Sequence, residues 1–257
     1  MPSRWDGFGQ LRSFKVKFKQ GASYIFTPEY DLEGFIEFAS KAGFDFVQLS
    51  YEAPLKWVGE VGRARRQRIQ TLAQRLGLPV CVHSVTNGVN VAWTNSRIRQ
   101  ESLRQIKEAI GFAYDVGAEL LTVHPGWRDL FGYRYPDEAY ALAIEGYREL
   151  AEAAASYGVR IGLENMPPFW LSFCVEPKEA QAMIQAVDRE NLGLTLDVGH
   201  ANLLGAEAIE EFNSVYMRQP SNTMVLYAIG HCYERVGNEP QAVEFYQDCI
   251  KFKNFLR

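Results

Sequence analysis

Three of the four histidines stand at or just beyond the ends of short apolar runs, where two carboxylates hold matching places. His83 ends the run VCVH, His124 ends LTVH and Glu164 ends IGLE, while Asp197 and His200 lie in LDVGH. Imidazole nitrogens and carboxylate oxygens are together the ligand types of zinc, manganese and similar divalent ions. If the fold brings these ends together, the five residues predict a divalent-metal site.

Two metal positions can be written for this set. An ion bound by His83, His124 and Glu164 would keep one coordination position open for water or substrate. Glu164 could also bridge to a second ion held partly by Asp197. The fourth histidine, His231, falls outside the set and is expected on a helix of the C-terminal region.

The apolar runs that carry these residues alternate with segments of helical periodicity. The runs are Ala22–Phe26, Phe44–Leu49, Pro79–His83, Glu119–His124, Val159–Glu164 and Leu192–Asp197. Their starts lie roughly 30 residues apart, which is typical of repeated strand–helix units with parallel strands. The sequence therefore predicts an α/β fold, a TIM-type (β/α) barrel of about six units, with 206–217 as the sixth crossover helix. In such a barrel the carboxyl ends of all strands open on one face, which hosts active sites.

The tail does not supply the two further units of an eight-fold barrel. From Thr223 the spacing of Leu226, Ile229, Gly230, Tyr233, Ala242 and Tyr246 is similar to one tetratricopeptide repeat, a helical hairpin. The alternative makes Met224–Ile229 a seventh strand. We favour the hairpin, and predict a barrel domain over 1–218 and a helical hairpin over 219–257.

Composition narrows the classes of protein. The 257 residues are 47% hydrophobic and 23% charged, which suits a globular chain with a sizeable core. Thirty-one acidic against 27 basic residues give a net charge of −4, which disfavours a dedicated nucleic-acid binder. The basic cluster 63–68 is expected on a solvated helix face. With no apolar run long enough for a membrane helix and no signal-peptide layout at the start, we expect a cytoplasmic protein.

Five motifs resemble those of the xylose-isomerase-like barrel superfamily, which includes sugar isomerases and epimerases and the endonuclease IV type of abasic-site nuclease. The motifs are VHS at 82–84, RQES at 99–102, VHPG at 123–126, LEN at 163–165 and DVGH at 197–200. The resemblance covers about residues 20–212. DVGH is its most specific part.

The resemblance implies roles for the five site residues. Glu164 and Asp197 match the metal carboxylates of both branches, and His83 and His124 match positions that the nuclease branch uses for zinc. His200 matches a further zinc ligand of the nucleases, or a substrate contact of the epimerases. Both branches take additional ligands from strands seven and eight, which this chain does not obviously supply. Another protomer, or the hairpin, would have to complete the barrel, or the chain would be catalytically impaired.

Three functions follow as hypotheses. The first is a divalent-metal-dependent sugar or sugar-phosphate isomerase or epimerase, in which Glu164, Asp197 and His200 are catalytic and a carboxylate moves a proton beside a carbonyl. The second is an abasic-site nuclease, favoured by His83 and His124. The third is a degenerate barrel whose hairpin binds a protein partner, since one repeat cannot bury its own face. A homodimer is a further expectation.

Two loops offer residues that suit a sugar. Trp127, Phe131 and Tyr133 follow His124 and supply aromatic rings for stacking, with Arg128 and Arg134 beside them for a phosphate. The stretch 167–170, PPFW, follows Glu164 and offers a second stacking wall. Packing at the rim of the barrel is the equally weighted alternative for both loops.

Overall fold

A computed structural model describes residues 19–24, 30–52, 61–168, 171–204, 209, 212–213, 216–217 and 223–255. Its centre is one sheet of six parallel strands. The strands are β1 (Gly21–Tyr24), β2 (Phe46–Ser50), β3 (Val80–His83), β4 (Leu120–Val123), β5 (Arg160–Glu164) and β6 (Leu192–Thr195). They lie side by side in the order of the sequence, from β1 to β6. The predicted α/β architecture and its six strands are confirmed.

Helices connect the strands and follow the last one. They are α1 (Leu32–Lys41), α2 (Arg63–Leu76), α3 (Ser96–Asp115), α4 (Leu130–Arg134), α5 (Pro136–Ser156), α6 (Pro177–Val187), α7 (Val198–Asn202), α8 (Thr223–Arg235) and α9 (Glu239–Phe255). Residues 209, 212, 213, 216 and 217, within the predicted sixth crossover helix, are helical, and the rest of that stretch lies outside the described residues. No helix among the described residues is both long and apolar enough to cross a membrane.

Local sequence signals account for the ends of the helices. Asp31 caps α1, because its carboxylate accepts a hydrogen bond from the Gly34 N–H at 2.8 Å. The C-terminal end of α2 is set by Gly77, whose backbone is in the left-handed region with a φ of +63°. Glycine has no Cβ to clash there, so the chain can leave the helix and enter the next strand at once.

The two faces of the sheet differ in character. Val47, Leu49, Val82, Leu121 and Leu163 alternate along the strands and belong to the main core cluster with apolar residues of α1, α2, α3, α5 and α6. The residues between them form the inner face of the sheet, where many of the side chains are small or polar. Its members include Ser23, Gln48, Cys81, Thr122, Gly162 and Thr195. The carboxyl ends of this inner face carry the predicted site.

After β6 the chain turns to helices. No strand among the described residues pairs with the outer edge of β1 or of β6, so the barrel is not closed. Met224–Ile229 lies within α8, so this stretch is helical and is not the seventh strand of the alternative interpretation. A Cβ on Gly230 would lie 2.8 Å from the Tyr246 ring, which shows how closely α8 and α9 approach. The relationship to tetratricopeptide repeats stays a prediction.

A second apolar cluster joins this hairpin to the segment that follows β6. Its fully buried members are Ala201, Phe212, Val225, Ala228, Ile229 and Cys232, and Leu196 and Val198 pack against them. The hairpin is therefore packed on the segment that follows β6 within its own chain.

Candidate functional site

All five predicted site residues lie at the carboxyl ends of the strands. His83 and Glu164 are the last residues of β3 and β5, and His124 follows β4 directly. Asp197 lies two residues beyond β6 as the N-cap of α7, which contains His200. Residues 114 positions apart in sequence thus meet on one face because parallel strands end there together.

Glu164 is the centre of the group. Its Oε2 lies 3.2 Å from His83 Nε2 and 3.4 Å from His124 Nε2, and its Oε1 lies 3.7 Å from His200 Nδ1. The Asp197 Oδ2 is 3.6 Å from the same nitrogen of His200. Two triads that share Glu164 result: His83, His124 and Glu164, and Glu164, Asp197 and His200, each with ligand atoms within 4.8 Å of one another.

The charge of Glu164 is shielded from water, since only 8% of its side chain is exposed. Burial alone would raise the pKa of this carboxyl, but the hydrogen bonds and charges of His124 and His83 outweigh burial and hold the pKa well below its usual range. Burial likewise favours neutral His83, but its hydrogen bond to Glu164 and the charge of that residue raise its pKa. Glu164 is therefore ionised at neutral pH.

The orientation of two histidines is set by backbone carbonyls. His83 Nδ1 lies 3.1 Å from the Ser84 oxygen, and His200 Nδ1 lies 2.9 Å from the Asn165 oxygen. A carbonyl oxygen only accepts, so Nδ1 carries the hydrogen in both rings. The other nitrogen of His83, Nε2, lies 3.2 Å from the ionised Glu164, and it is the atom that would bind a cation once it has lost its own hydrogen. Metal-binding histidines are commonly held in this way by an outer partner.

Sequence reasoning missed the residues that hold the loops of this face in place. Asn90 is 1% exposed, and its side-chain oxygen accepts from the Trp127 N–H at 3.2 Å while its amide donates to the Trp127 carbonyl at 2.8 Å. Asn165, fully buried, makes the same pair of bonds with the backbone of Asp197. Asn165 stands in the quoted motif LEN, but the motif gave no indication of what its side chain contacts.

Glu52 is a further residue of this kind. Its carboxylate accepts hydrogen bonds from the N–H and hydroxyl of Thr86 and from the N–H of Asn87, at 2.7 to 2.9 Å. These residues lie in the loop that follows His83. The Tyr147 hydroxyl donates to the His124 carbonyl, which fixes the start of the next loop.

The loop after His124 has the aromatic character expected from the sequence. Trp127 packs against Trp93 of the preceding loop, with ring centroids 5.8 Å apart. The guanidinium of Arg128 lies over the ring of the buried Phe173, 4.7 Å from its centroid. Phe131 and Tyr133 lie on the short helix α4 and are 69% and 62% exposed. The second stacking wall falls partly on residues 169–170, which lie outside the described residues.

Two other sequence features are not part of the site. The basic cluster opens α2, where Arg65 pairs with Glu33 at 2.7 Å and Arg66 with Asp115 at 3.3 Å, so part of its charge is neutralised. His231 lies on α8, as expected, with its ring 6.2 Å from that of Tyr227.

Comparison with known proteins gives both a family and a set of similar folds. Residues 36–250 match the family described as xylose isomerase-like TIM barrel. The fold is similar to that of a D-tagatose 3-epimerase-like protein, with a TM-score of 0.69 and 21% identity, over 93% of this chain and 98% of the other. It is also similar to a D-psicose 3-epimerase crystallised with D-fructose, with a TM-score of 0.66 and 16% identity, over 86% of this chain and 82% of the other. At these identities the likeness establishes the fold alone.

Two archaeal proteins are similar in sequence. The uncharacterised protein MJ1311 of Methanocaldococcus jannaschii is 29% identical over 196 residues, which are 76% of this chain and 65% of that protein. The uncharacterised protein MJ1614 of the same organism is 31% identical over 135 residues, which are 51% of this chain and 50% of that protein. The chain thus matches between half and two thirds of the length of these relatives.

Proposed function

Because this chain belongs to the xylose isomerase-like TIM barrel family, we propose that it is a divalent-metal-dependent sugar isomerase or epimerase. The observation that carries the proposal is the convergence of three imidazoles and two carboxylates on the buried Glu164, at the carboxyl ends of the strands. The fold of this chain is similar to those of sugar epimerases, and the site offers the groups that such chemistry requires.

The donor set fits a divalent cation. Glu164 brings a full negative charge into a buried position, and each of its oxygens faces an imidazole. His83 has its Nδ1 engaged by a carbonyl and Nε2 turned towards Glu164, as a metal ligand would. We propose His83, His124, Glu164 and Asp197 as the ligands. Mixed nitrogen and oxygen donors suit zinc or manganese.

In the proposed reaction a carboxylate of the site moves a proton. A bound divalent cation supplies a Lewis acid that polarises the sugar carbonyl. One of the two carboxylates, Glu164 or Asp197, would take the proton from the carbon next to that carbonyl, and the other carboxylate would deliver a proton to the opposite face of the same carbon, which gives the epimer. We propose that His200, which is 27% exposed beside Asp197, contacts the substrate.

The loops after β3 and β5, at the carboxyl ends of the strands, suit an uncharged sugar better than a sugar phosphate. No Lys or Arg occurs in the loop after β3, residues 84–95. None occurs in the described parts of the loop after β5, residues 165–168 and 171–176. Of the two arginines in the loop after β4, Arg128 is turned towards the buried Phe173 and stacks on it, whereas Arg134, at the end of α4, is exposed. The aromatic pair of Trp93 and Trp127 instead offers apolar surface with a few polar groups nearby, the usual lining of a small-molecule site.

Exchange of hydrogen with solvent tests this proposal without knowledge of the product. Purified protein loaded with Mn²⁺ or Zn²⁺ would be incubated in D₂O with D-tagatose, D-psicose, D-fructose and L-ribulose, and with their phosphates. We expect deuterium to enter the carbon next to the carbonyl of at least one free sugar, detected by NMR. The E164Q variant is the control and should show no exchange, because it lacks the charge at the centre of both triads.

Absence of exchange with every sugar, from protein that holds its metal, would contradict the proposal. The second candidate, abasic-site cleavage, would then be favoured by the contact of both His83 and His124 with Glu164, since by resemblance the nuclease branch uses these positions. Incision of a duplex with one abasic site, by the zinc-loaded protein, would establish it. The ion pairs of Arg65 and Arg66 leave less free positive charge on that helix for a nucleic acid.

The proposal extends to the missing part of the site. No strand among the described residues follows β6, although by resemblance further ligands come from strands seven and eight. We propose that the hairpin of α8 and α9 or a second protomer closes this side. The hairpin is also the surface proposed for any protein partner.

A further inference from the structure

Asn165 follows the central carboxylate directly and is fully buried. Its side-chain oxygen accepts a hydrogen bond from the Asp197 N–H at 2.7 Å, and its amide nitrogen donates to the Asp197 carbonyl at 3.0 Å. Its own carbonyl oxygen accepts from His200 Nδ1 at 2.9 Å. Asn165 therefore contacts Asp197 and His200, two members of the second triad, and it is covalently joined to the third member, Glu164.

We infer that Asn165 is a positioning residue that holds Asp197 where it can bind a divalent cation and holds His200 beside it where it can contact the substrate. This inference rests on the proposed metal-dependent function and adds to it the element that organises half of the site. Asp197 lies between β6, which ends at Thr195, and α7, which begins at Val198, and as the N-cap its carbonyl also accepts from the Ala201 N–H at 3.1 Å. The two bonds from Asn165 act on the backbone of Asp197 from both sides and so restrict it more than one bond would.

The effect of Asn165 reaches His200 by two routes. The first is the direct bond from its carbonyl to His200 Nδ1. The second passes through Asp197, whose Oδ1 accepts from the His200 N–H at 2.8 Å and so sets the start of α7. Loss of the Asn165 side chain would release the backbone of Asp197, and with it both the carboxylate and the imidazole of this triad.

The test compares Asn165 with Asn191. The side chains of both residues bind backbone groups, but only Asn165 lies at the site. Asn191 stands just before β6, at the opposite end of the strand, and its amide donates to the carbonyls of Ala151 and Val159 at 2.8 and 3.4 Å. Each purified variant would be titrated with Mn²⁺ by calorimetry, and its thermal unfolding recorded without metal. We expect N165A to lose about 10- to 100-fold in Mn²⁺ affinity, the usual effect of removing an outer partner of a ligand. N191A should unfold at a lower temperature and bind Mn²⁺ as the wild type does.

A second variant keeps the inference testable if N165A does not fold. N165D has nearly the same shape and still accepts from the Asp197 N–H, but it cannot donate to the Asp197 carbonyl. The added negative charge next to Glu164 would by itself strengthen cation binding. The positioning role predicts weaker Mn²⁺ binding in spite of that charge. Tighter binding by N165D, or wild-type affinity in N165A, would overturn the inference.

The outcome separates this inference from the proposed function. A wild-type protein that binds neither Mn²⁺ nor Zn²⁺ would remove the proposed function, and the positioning role with it. A wild-type protein that binds Mn²⁺, together with an N165A variant that binds it equally well, would remove the positioning role alone.

Discussion

At the scale of single residues, Glu164 explains why the site is compact. A buried carboxylate is costly unless it is paired, and three imidazoles lie within 3.7 Å of its two oxygens. The histidines are therefore not interchangeable with apolar residues, because each contributes to the environment that keeps this charge buried. His124 is the one of the three chosen for a test, since its ring contacts Glu164 while its bond with Tyr147 is made through the backbone carbonyl.

Replacement of His124 with alanine is expected to weaken metal binding and leave the fold largely intact. The His124 side chain is 26% exposed, and barrel stability resides in the buried strands and not at the mouth. Loss of a direct ligand should reduce Mn²⁺ or Zn²⁺ affinity by at least about tenfold, because loss of an outer partner alone has that effect. Calorimetric titration and circular dichroism would measure the two properties.

His231 provides the control for this variant. It lies on α8 and belongs to neither triad, so H231A should bind metal as the wild type does. If H124A instead unfolds while its metal content is unchanged, His124 is a structural residue and not a ligand.

At the scale of elements, the loops at the carboxyl ends are tied to one another in the order of the sheet. Glu52, after β2, holds the loop after β3, and Asn90, in that loop, holds the loop after β4. Backbone bonds from Arg128 to Leu171 join the loop after β4 to the loop after β5, where Asn165 holds the segment after β6. The site is thus held by a continuous series of contacts between neighbouring loops.

These contacts between neighbouring loops are the part of the site that the sequence does not predict. The strands and helices follow from local signals: periodicity places Leu32 and Ile36 in the core, and glycine after a helix marks its end, as at Gly77. Once the strands are predicted, their carboxyl ends are known, and the five site residues are predicted to meet there. The contacts of Asn90 and Asn165 join segments more than 30 residues apart and leave no periodic pattern. Their only sign is a polar residue in a loop, which is common.

The approach of β5 and β6 gives a prediction at the same scale. A Cβ on Gly162 would lie 2.1 Å from Thr195 Oγ1 and 3.3 Å from Thr195 Cβ. Gly162→Ala should therefore force the strands or the threonine to move and lower the free energy of unfolding by about 1–3 kcal/mol. Urea unfolding would measure the loss. Because Glu164 lies two residues further along β5, metal affinity is expected to fall as well.

Gly193, the partner of Gly162 in the register of β5 and β6, is the matched control. A Cβ at this position would meet no atom within 4 Å, so Gly193→Ala should be neutral or stabilise the protein by up to about 1 kcal/mol. Equal losses in both variants would show that the cost reflects alanine in these strands in general, and not the contact with Thr195.

At the scale of the whole molecule, the described residues form six parallel strands with their helices, and the described part of the chain after β6 is helical and ends in a hairpin. The hairpin contributes Val225, Ala228 and Ile229 to an apolar cluster with Ala201 and Phe212, and this cluster is separate from the main core. Leu194, on β6, is 44% exposed, whereas Leu163, which pairs with it on β5, is fully buried. The end of the sheet at β6 is thus covered only in part, by the segment that follows it and by the hairpin.

Deletion of residues 221–257 is therefore expected to produce aggregation or loss of cooperative unfolding. Truncation would uncover Leu196, Val198 and Ala201, beside a β6 edge that already exposes Leu194. An open strand edge next to apolar surface is a site of association between chains. Light scattering would give the size of the particles, and calorimetry the cooperativity of unfolding.

Point substitutions separate the loss of packing from the loss of chain length. Ile229 is fully buried in the second cluster, and Ile229→Ala should lower the free energy of unfolding by about 2–5 kcal/mol. Val243, on the outer side of α9, is 51% exposed, so Val243→Ala should have little effect. If the truncated chain stays monomeric and as stable as the full chain, and Ile229→Ala leaves the unfolding of the barrel unchanged, the hairpin is an independent unit. Its apolar residues would then serve a partner protein, as the third hypothesis from the sequence holds.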